Sequence, residues 1–457
     1  MKNFSKRLTA AALSASMIFG YAPLMVHAGT EDTESAKTVY TVEDYNNAQK
    51  AVTQAKKDLE NGPVLFLDSL VSDESYTVEN QIKKISETSD SSIKSSYKKY
   101  GSKYLSQITW SNLKRQATLL NRLNKCRAND NNFTDEASTS ALKLDPDLIV
   151  NAMMSAMISS NEVNHLLFCT SDENLISLGY GENLSWGYND PLDGWYDEEK
   201  KIYDKSGSTS ETGHYENCMG EWNTSGTGVV GFGTTNFGKF GGCDALRFSY
   251  WYENKAYTAD EWLNEINTFK ANLEAKVTEA ENKASEIKQS FADNGQLISK
   301  VTLSTTRYTY DGKTKKPSVK VYNNKGELLT SGYTASVPSG KNLGSYTVKV
   351  TGNGNYIGSA SATYVISPAK MKKPSVKAGK KKVTVKWKKL GGGSQTYQIA
   401  IKKSGSKYKY YTSTGSSKTI TKLAKKKKYT VKIRSYKKIN GKTYYGSWSS
   451  SKTVRVK

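Results

Sequence analysis

The sequence predicts a multidomain protein: an α+β (αβα sandwich) domain flanked by helical segments, then two all-β sandwich modules. Three observations carry this. Residues 113–255 mix helical apolar spacing with short Gly- and aromatic-rich strands. A seam at Trp262, Ile266, Phe269, Leu273, Val277, Ala280, Ala284, Ile287 and Phe291 steps by three and four, as a long helix does. From Ile298 onward the apolar period becomes two. The chain has 457 residues, which suits about three globular units at roughly 100–200 residues each. The expected divisions are 1–28, 29–112, 113–255, 256–297, 298–367 and 368–457.

The first segment, 1–28, reads as an export signal. Lys2, Lys6 and Arg7 precede an apolar run, and Val26 and Ala28 are the small residues of a cleavage site. No later stretch has the roughly 20 apolar residues of a spanning helix, so no transmembrane segment is expected and the protein is read as secreted. Cys126, Cys169, Cys218 and Cys243 all fall in one domain. An even count in an exported chain suggests two disulfides, Cys218 with Cys243 and Cys126 with Cys169 being the favoured pairs, and the alternative is buried free thiols.

Residues 29–112 are polar and mostly helical. Thr41 and Asp44 form a capping-box-like start, a helix over 45–59 should stop at Gly62-Pro63, and weaker helical signals cover 78–85 and begin again at Tyr104. This region either packs on the next domain or acts as a spacer. In 113–255, one helix carries Leu119, Leu120 and Leu123; a second starts near Pro146 and continues through Leu148, Ala152, Met153 and Met157. Strands follow at 229–232 and 245–251. Thr258 and Glu261 form a capping box for the long helix. That helix either pairs with the one starting at Thr41 or docks on the neighbouring domain.

The module 298–367 alternates at Val301, Leu303, Val319, Val321, Tyr346, Val348 and Val350, with turns at Asp311-Gly312 and Gly352-Asn353-Gly354. Tyr308-Thr309-Tyr310-Asp311-Gly312, Lys316-Pro317 and Gly344-Ser345-Tyr346 resemble an immunoglobulin-like repeat of Firmicute surface proteins. The module 368–457 resembles a fibronectin type III domain: Trp387 suits its core tryptophan, and Leu423 and Tyr429 suit its tyrosine corner.

The histidines after the signal are His165 and His214. Between them stand Gly181-Glu182-Asn183-Leu184 and Trp195-Tyr196-Asp197-Glu198, and His214 lies in Gly213-His214-Tyr215. In this order the motifs resemble the CAP superfamily, the cysteine-rich secretory, antigen 5 and pathogenesis-related proteins. The resemblance covers about 140 residues. It implies an αβα sandwich with a cleft tetrad of His165, Glu182, Glu198 and His214, the last glutamate exchangeable with Glu199.

Two imidazoles and carboxylates suit a divalent metal such as zinc. They also suit a general acid and base, with Glu182 and Glu198 as the catalytic pair, or a hydrogen-bonded structural cluster. No Gly-x-Ser-x-Gly, phosphate loop or metalloprotease helix appears. The expected function is a secreted, wall-associated surface protein whose cleft takes an unknown ligand, host or surface protein. The alternatives are a metal-assisted extracellular hydrolase of peptide or glycan, and a scaffold with a structural polar cluster. Aromatics near the cleft, Trp186, Tyr188, Trp195, Tyr196, Tyr215 and Trp222, suit core packing or sugar and lipid faces.

Charge divides the chain. Residues 368–457 hold 28 Lys plus Arg and no Asp or Glu, whereas the whole chain carries +23. The tail is expected to bind anionic cell-wall polymers rather than nucleic acid. No Leu-Pro-x-Thr-Gly signal is present, so attachment without a covalent anchor is expected.

Overall fold

The computed structural model describes residues 39–175, 177–220, 228–250 and 255–457. The expected export signal and Trp222 lie outside the described residues. Described residues 51–281 form one compact unit, and 39–50 with 282–457 form a second. Among the described residues no helix is long and apolar enough to cross a membrane.

The α-helices longer than four residues are α1 (Val42–Glu60), α2 (Gly62–Leu70), α3 (Val78–Glu87), α4 (Ser91–Tyr100), α5 (Trp110–Ala128), α6 (Pro146–Ser159), α7 (Glu199–Ser206), α8 (Gly213–Met219) and α9 (Ala259–Asp293). The first unit is built on a sheet of β1 (Lys143–Leu144), β2 (Gly181–Trp186), β3 (Val229–Thr235) and β4 (Cys243–Ser249). Its order is β1-β3-β4-β2, with β1 parallel to β3 and the other pairs antiparallel.

Helix α6 is buried along its whole length, so it lies between layers rather than at the surface. Asp145 caps it, accepting from Leu148 N at 2.9 Å, and Pro146 fits the first turn, where no amide is needed. The helix backbone rests directly on β3. A Cβ at Gly231 would stand 2.2 Å from Ile149 N, and one at Gly233 2.1 Å from Ala152 O. The opposite face of the sheet is covered by α5 and α8. Gln116 of α5 bonds both backbone groups of Phe232, and Asn183 reaches the carbonyl of His214.

The helices before the sheet are part of this unit. Phe66, Leu67, Val78, Ile85 and Ile93 share one hydrophobic core with Met153, Phe232 and Trp262. Gly62-Pro63 does break the first helix, and Pro63 then sits in the first turn of α2. The signal at Tyr104 runs through short 3₁₀ turns, and the true helix start is the Thr109 cap of α5, which accepts from Asn112 N.

Both capping boxes form. Thr41 N donates to Asp44 at 2.8 Å and Thr258 N to Glu261 at 2.9 Å, with the reciprocal bonds at 3.1 and 3.3 Å. The two readings of the α9 seam are both realised. In the first unit Trp262 is buried, donates to Leu113 O at 2.8 Å and packs on Phe66. In the second unit Phe291 meets Tyr45, and Lys283 and Glu286 bond the Tyr40 hydroxyl.

The second unit holds two β modules. The first stacks sheet β5 (Ile298–Leu303), β7 (Val319–Asn323), β8 (Leu328–Leu329) on sheet β6 (Arg307–Thr309), β11 (Ser359–Ser367), β10 (Gly344–Gly352), β9 (Tyr333–Ser336). Val301, Val321, Val348, Val350 and Tyr364 fill its core. The second module faces β12 (Ser375–Gly379), β13 (Lys382–Lys386) and β16 (Ser417–Ile420) with β15 (Lys409–Ser413), β14 (Thr396–Lys403), β17 (Lys428–Ile439) and β18 (Lys442–Tyr445), and β19 (Lys452–Arg455) also pairs with β17. This is a fibronectin type III-like sandwich. Trp387 and Tyr397 lie in its core, and the expected corner forms: Ala424 N donates to the Tyr429 hydroxyl at 3.0 Å.

Candidate functional site

Strand β2 is an edge of its sheet, so the helical layers of the two faces come together beyond it. A cavity of about 990 Å³ opens there, and His165, Glu182, Glu198, Glu199 and His214 all line it. The structure therefore gathers every member of the tetrad inferred from sequence.

The first half of the site belongs to the α6 face. His165 precedes a short helix, Leu166–Cys169. Its Nδ1 stands 2.6 Å from Glu182 Oε2 across 17 residues of sequence. Glu182 and Arg247 are direct cross-strand partners in β2 and β4, so they share a face. Arg247 Nε lies 3.1 Å from Glu182 Oε1, a charge contact without hydrogen-bond alignment, and both side chains are buried. The guanidinium also donates to Ser177 Oγ and Ser155 Oγ, each at 3.0 Å, and lies 5.1 Å from the centre of the Phe168 ring. Burial pushes the Glu182 carboxyl up, but the His165 bond and the Arg247 charge outweigh it, and the net pKa is below the ordinary glutamate value. Burial lowers the Arg247 pKa, and Glu182 opposes that.

The second half belongs to the α8 face. Glu199 holds the start of α8 three ways: Oε1 is 2.6 Å from His214 Nδ1, and Oε2 accepts from the amides of His214 and Tyr215 at 2.9 and 3.0 Å. Beneath, Tyr196 and Tyr215 hydroxyls converge on buried Asp130 at 2.7 and 2.8 Å. The two imidazoles face each other with centroids 6.4 Å apart and planes 28° from parallel.

An ionised carboxylate only accepts, so Glu182 assigns the hydrogen of His165 to Nδ1. In a neutral imidazole, the same reasoning for Glu199 and His214 leaves each Nε2 with its lone pair. This is the arrangement that orients a metal-binding histidine, with a carboxylate behind the ring.

The sequence left the last tetrad place open between Glu198 and Glu199. Glu198 does not hold His214; it accepts from the Tyr188 hydroxyl at 3.0 Å instead. Residues Asp193–Glu198 form a π-helical turn, which is one residue wider than an α turn, so the position returning to the histidine is Glu199. The four-ligand metal set of His165, Glu182, Glu198 and His214 is not assembled either. Glu182 is occupied by His165 and Arg247, and among the described residues no group of three or more His, Cys, Asp or Glu is placed to hold a metal. The donor set fits two imidazole nitrogens, not four ligands.

The disulfides are absent: Cys126, Cys169, Cys218 and Cys243 are free thiols. Cys243 packs with Ala152 and Leu184 on the α6 face, whereas Cys218 lies within reach of Asn183 on the other. Cys169 ends the short helix beside Arg247 on the α6 side, and Cys126 sits on α5 across the sheet. Burial pushes the Cys218 and Cys243 thiols well above the usual value.

Sequence reasoning missed Arg247. Its signal was a charged residue inside the apolar run Ala245-Leu246-Arg247-Phe248. An arginine there must meet an acid inside the fold.

Among curated proteins, none matches this chain. Among solved structures the chain is similar to a myokine structure, at 16% identity over 20% of this chain and 98% of that one, with a TM-score of 0.18. It is similar to the sixth fibronectin type III domain of human fibronectin type III domain containing protein 3, at 17% identity over 20% and 85%, with a TM-score of 0.17. A two-domain fibronectin type III segment of chicken tenascin is 13% identical over 35% and 99%, with a TM-score of 0.26. The family model that matches is the MBG domain, and residues 299–370, the first β module, are what it covers.

Proposed function

We propose that the protein is an exported surface protein that binds rather than transforms its target. In this reading the first unit is a CAP-type domain presenting an acidic cleft, and the β modules space it from the wall and attach it there. The observation that carries the reading is the lining of the cleft: among the described residues it has five glutamates, two histidines and no lysine or arginine. Such a cavity favours a cationic ligand. Trp186 and Tyr188 on its wall give aromatic faces to the same cations. The ligand class is therefore a peptide segment bearing Lys or Arg, as a host or surface protein offers.

Binding is favoured over hydrolysis because the glutamates beside the histidines are committed. Glu182 carries a lowered pKa and Glu199 accepts three bonds, so neither is a free general acid. A zinc ion would take the two Nε2 atoms, and the carboxylates behind them would orient the rings.

The test is calorimetric titration of the full-length protein with an arginine-rich peptide and with an acidic peptide of equal length. The arginine-rich peptide should bind, and Glu198→Gln with Glu211→Gln should weaken it by about tenfold, as the loss of two charge contacts implies. Equal binding of the acidic peptide, or turnover of the basic one, would overturn the reading. Zinc titration of His165→Ala and His214→Ala variants checks the two-nitrogen site separately.

A further inference from the structure

The last module carries a second organised surface. Strands β14 and β17 bury Ile399, Ile401, Val431 and Ile433, so the alternate residues face outward. On that outer face cations and rings alternate. The Arg434 guanidinium lies 3.7 Å from the centre of the Tyr445 ring and 4.4 Å from that of Trp448. Lys432 Nζ lies 4.8 Å from Trp448 and 4.5 Å from Tyr408, and Lys402 Nζ is 4.9 Å from Tyr408. Tyr410, 56% exposed, stands 6.2 Å from Trp448.

No Asp or Glu stands in 368–457 to neutralise these cations. They lean on ring faces instead, which keeps them arrayed. The other sheet supplies a contrast. Its outward positions, Lys377 and Lys382 with Ser375, Thr384 and Thr419, carry cations without rings.

We propose that the Tyr408–Trp448–Tyr445 face is a binding site for an anionic polysaccharide. Aromatic faces take the apolar faces of sugar rings, and Lys402, Lys432 and Arg434 between them take carboxylate or phosphate groups on the same chain. The inference rests on the reading that this module attaches to an anionic polymer, and it adds that recognition is concentrated on one sheet face. A polymer with charge but no ring would use only half of the surface. A nucleic acid would also offer rings and charge, but a wall glycan is the polymer an exported chain meets.

The experiment measures binding of the full-length protein to polygalacturonate, polyphosphate, dextran and single-stranded DNA at fixed salt. Three variants are compared: Tyr410→Ala with Trp448→Ala, Lys432→Gln with Arg434→Gln, and Lys377→Gln with Lys382→Gln. Thermal melts accompany each, and Tyr410→Ala alone, at an exposed position, stands in if the Trp448 change unfolds the module. Polygalacturonate binding should fall about tenfold in the ring variant and in the Lys432/Arg434 variant. It should fall less than about threefold in the Lys377/Lys382 variant, as solvent-exposed charges contribute little singly. Polyphosphate binding should fall less than polygalacturonate binding in the ring variant.

Equal losses in the two charge variants with no loss in the ring variants would overturn the face assignment while leaving polyanion attachment standing. No binding of the parent protein to either polyanion would overturn the attachment itself. Binding to DNA tighter than to polygalacturonate, or to dextran as tight as to polygalacturonate, would overturn the choice of polymer.

Discussion

Arg247 stands in β4 between Leu246 and Phe248 with no exposed surface, and the charge it brings inside is met by Glu182. A buried pair of this kind is weak evidence for stability, because desolvation offsets the attraction. Its effect here is geometric: it fixes the carboxylate that fixes His165. Asp145 is the opposite case. Burial pushes its carboxyl up to about 6, against the lowering bond from Leu148 N, and Asp147 nearby adds to the rise. A raised carboxyl pKa means that the folded chain binds the proton more tightly than the unfolded chain. Stability from this group is therefore present below pH 4 and declines as pH rises through about 6. Asparagine keeps the cap acceptor without the charge. Asp145→Asn should accordingly gain on the order of 2 kcal/mol at pH 7 and almost nothing at pH 4. Urea melts at both pH values check this, and an equal gain at both would show that the charge is not the cause.

At the scale of elements, two local departures from regular geometry set the site. The π-helical turn Asp193–Glu198 selects Glu199 over Glu198 as the partner of His214. The paired glycines of β3 let α6 approach to backbone contact, which brings Ser155 against Arg247. Gly233→Ala should force these layers apart at a cost of about 3 kcal/mol. Gly213→Ala, where a Cβ meets nothing within 4 Å, should be close to neutral. Chemical denaturation of both variants measures the difference, and similar stabilities would mean that the layers are not in contact as described. The caps belong to this scale too. Thr41 with Asp44 and Thr258 with Glu261 were legible because the box needs only residues three apart.

Across the whole molecule, charge is unevenly held. The last 90 residues have 28 cationic and no acidic side chains, leaving a net −5 for everything before them. The lysines stand on outward strand positions and turns, three of them, Lys381, Lys422 and Lys426, in left-handed backbone conformation. Under the proposed wall attachment, retention on an anionic wall fraction should weaken steadily as salt rises, since exposed charges are screened beyond about 8 Å at physiological salt. Deleting 368–457 should abolish it. Sedimentation of the two forms with wall material at stepped salt reads this out, and retention of the deleted form would show that the module is not the attachment.

What the sequence by itself determined were the features that depend on near neighbours: the change of period at Ile298, the capping boxes, the Leu423–Tyr429 corner and the motif order that nominated His165, Glu182 and His214. Each is written into spacing along the chain, and local backbone geometry turns spacing into a face or a cap. Only the tertiary structure decided which glutamate holds which histidine, that Arg247 occupies the other side of Glu182, that the cysteines lie on opposite faces of one sheet, and that residues 62–108 join the core instead of standing apart. These depend on distances between residues far apart in the chain, and a one-residue shift in a helical turn or the choice of a sheet face alters them without changing any local pattern.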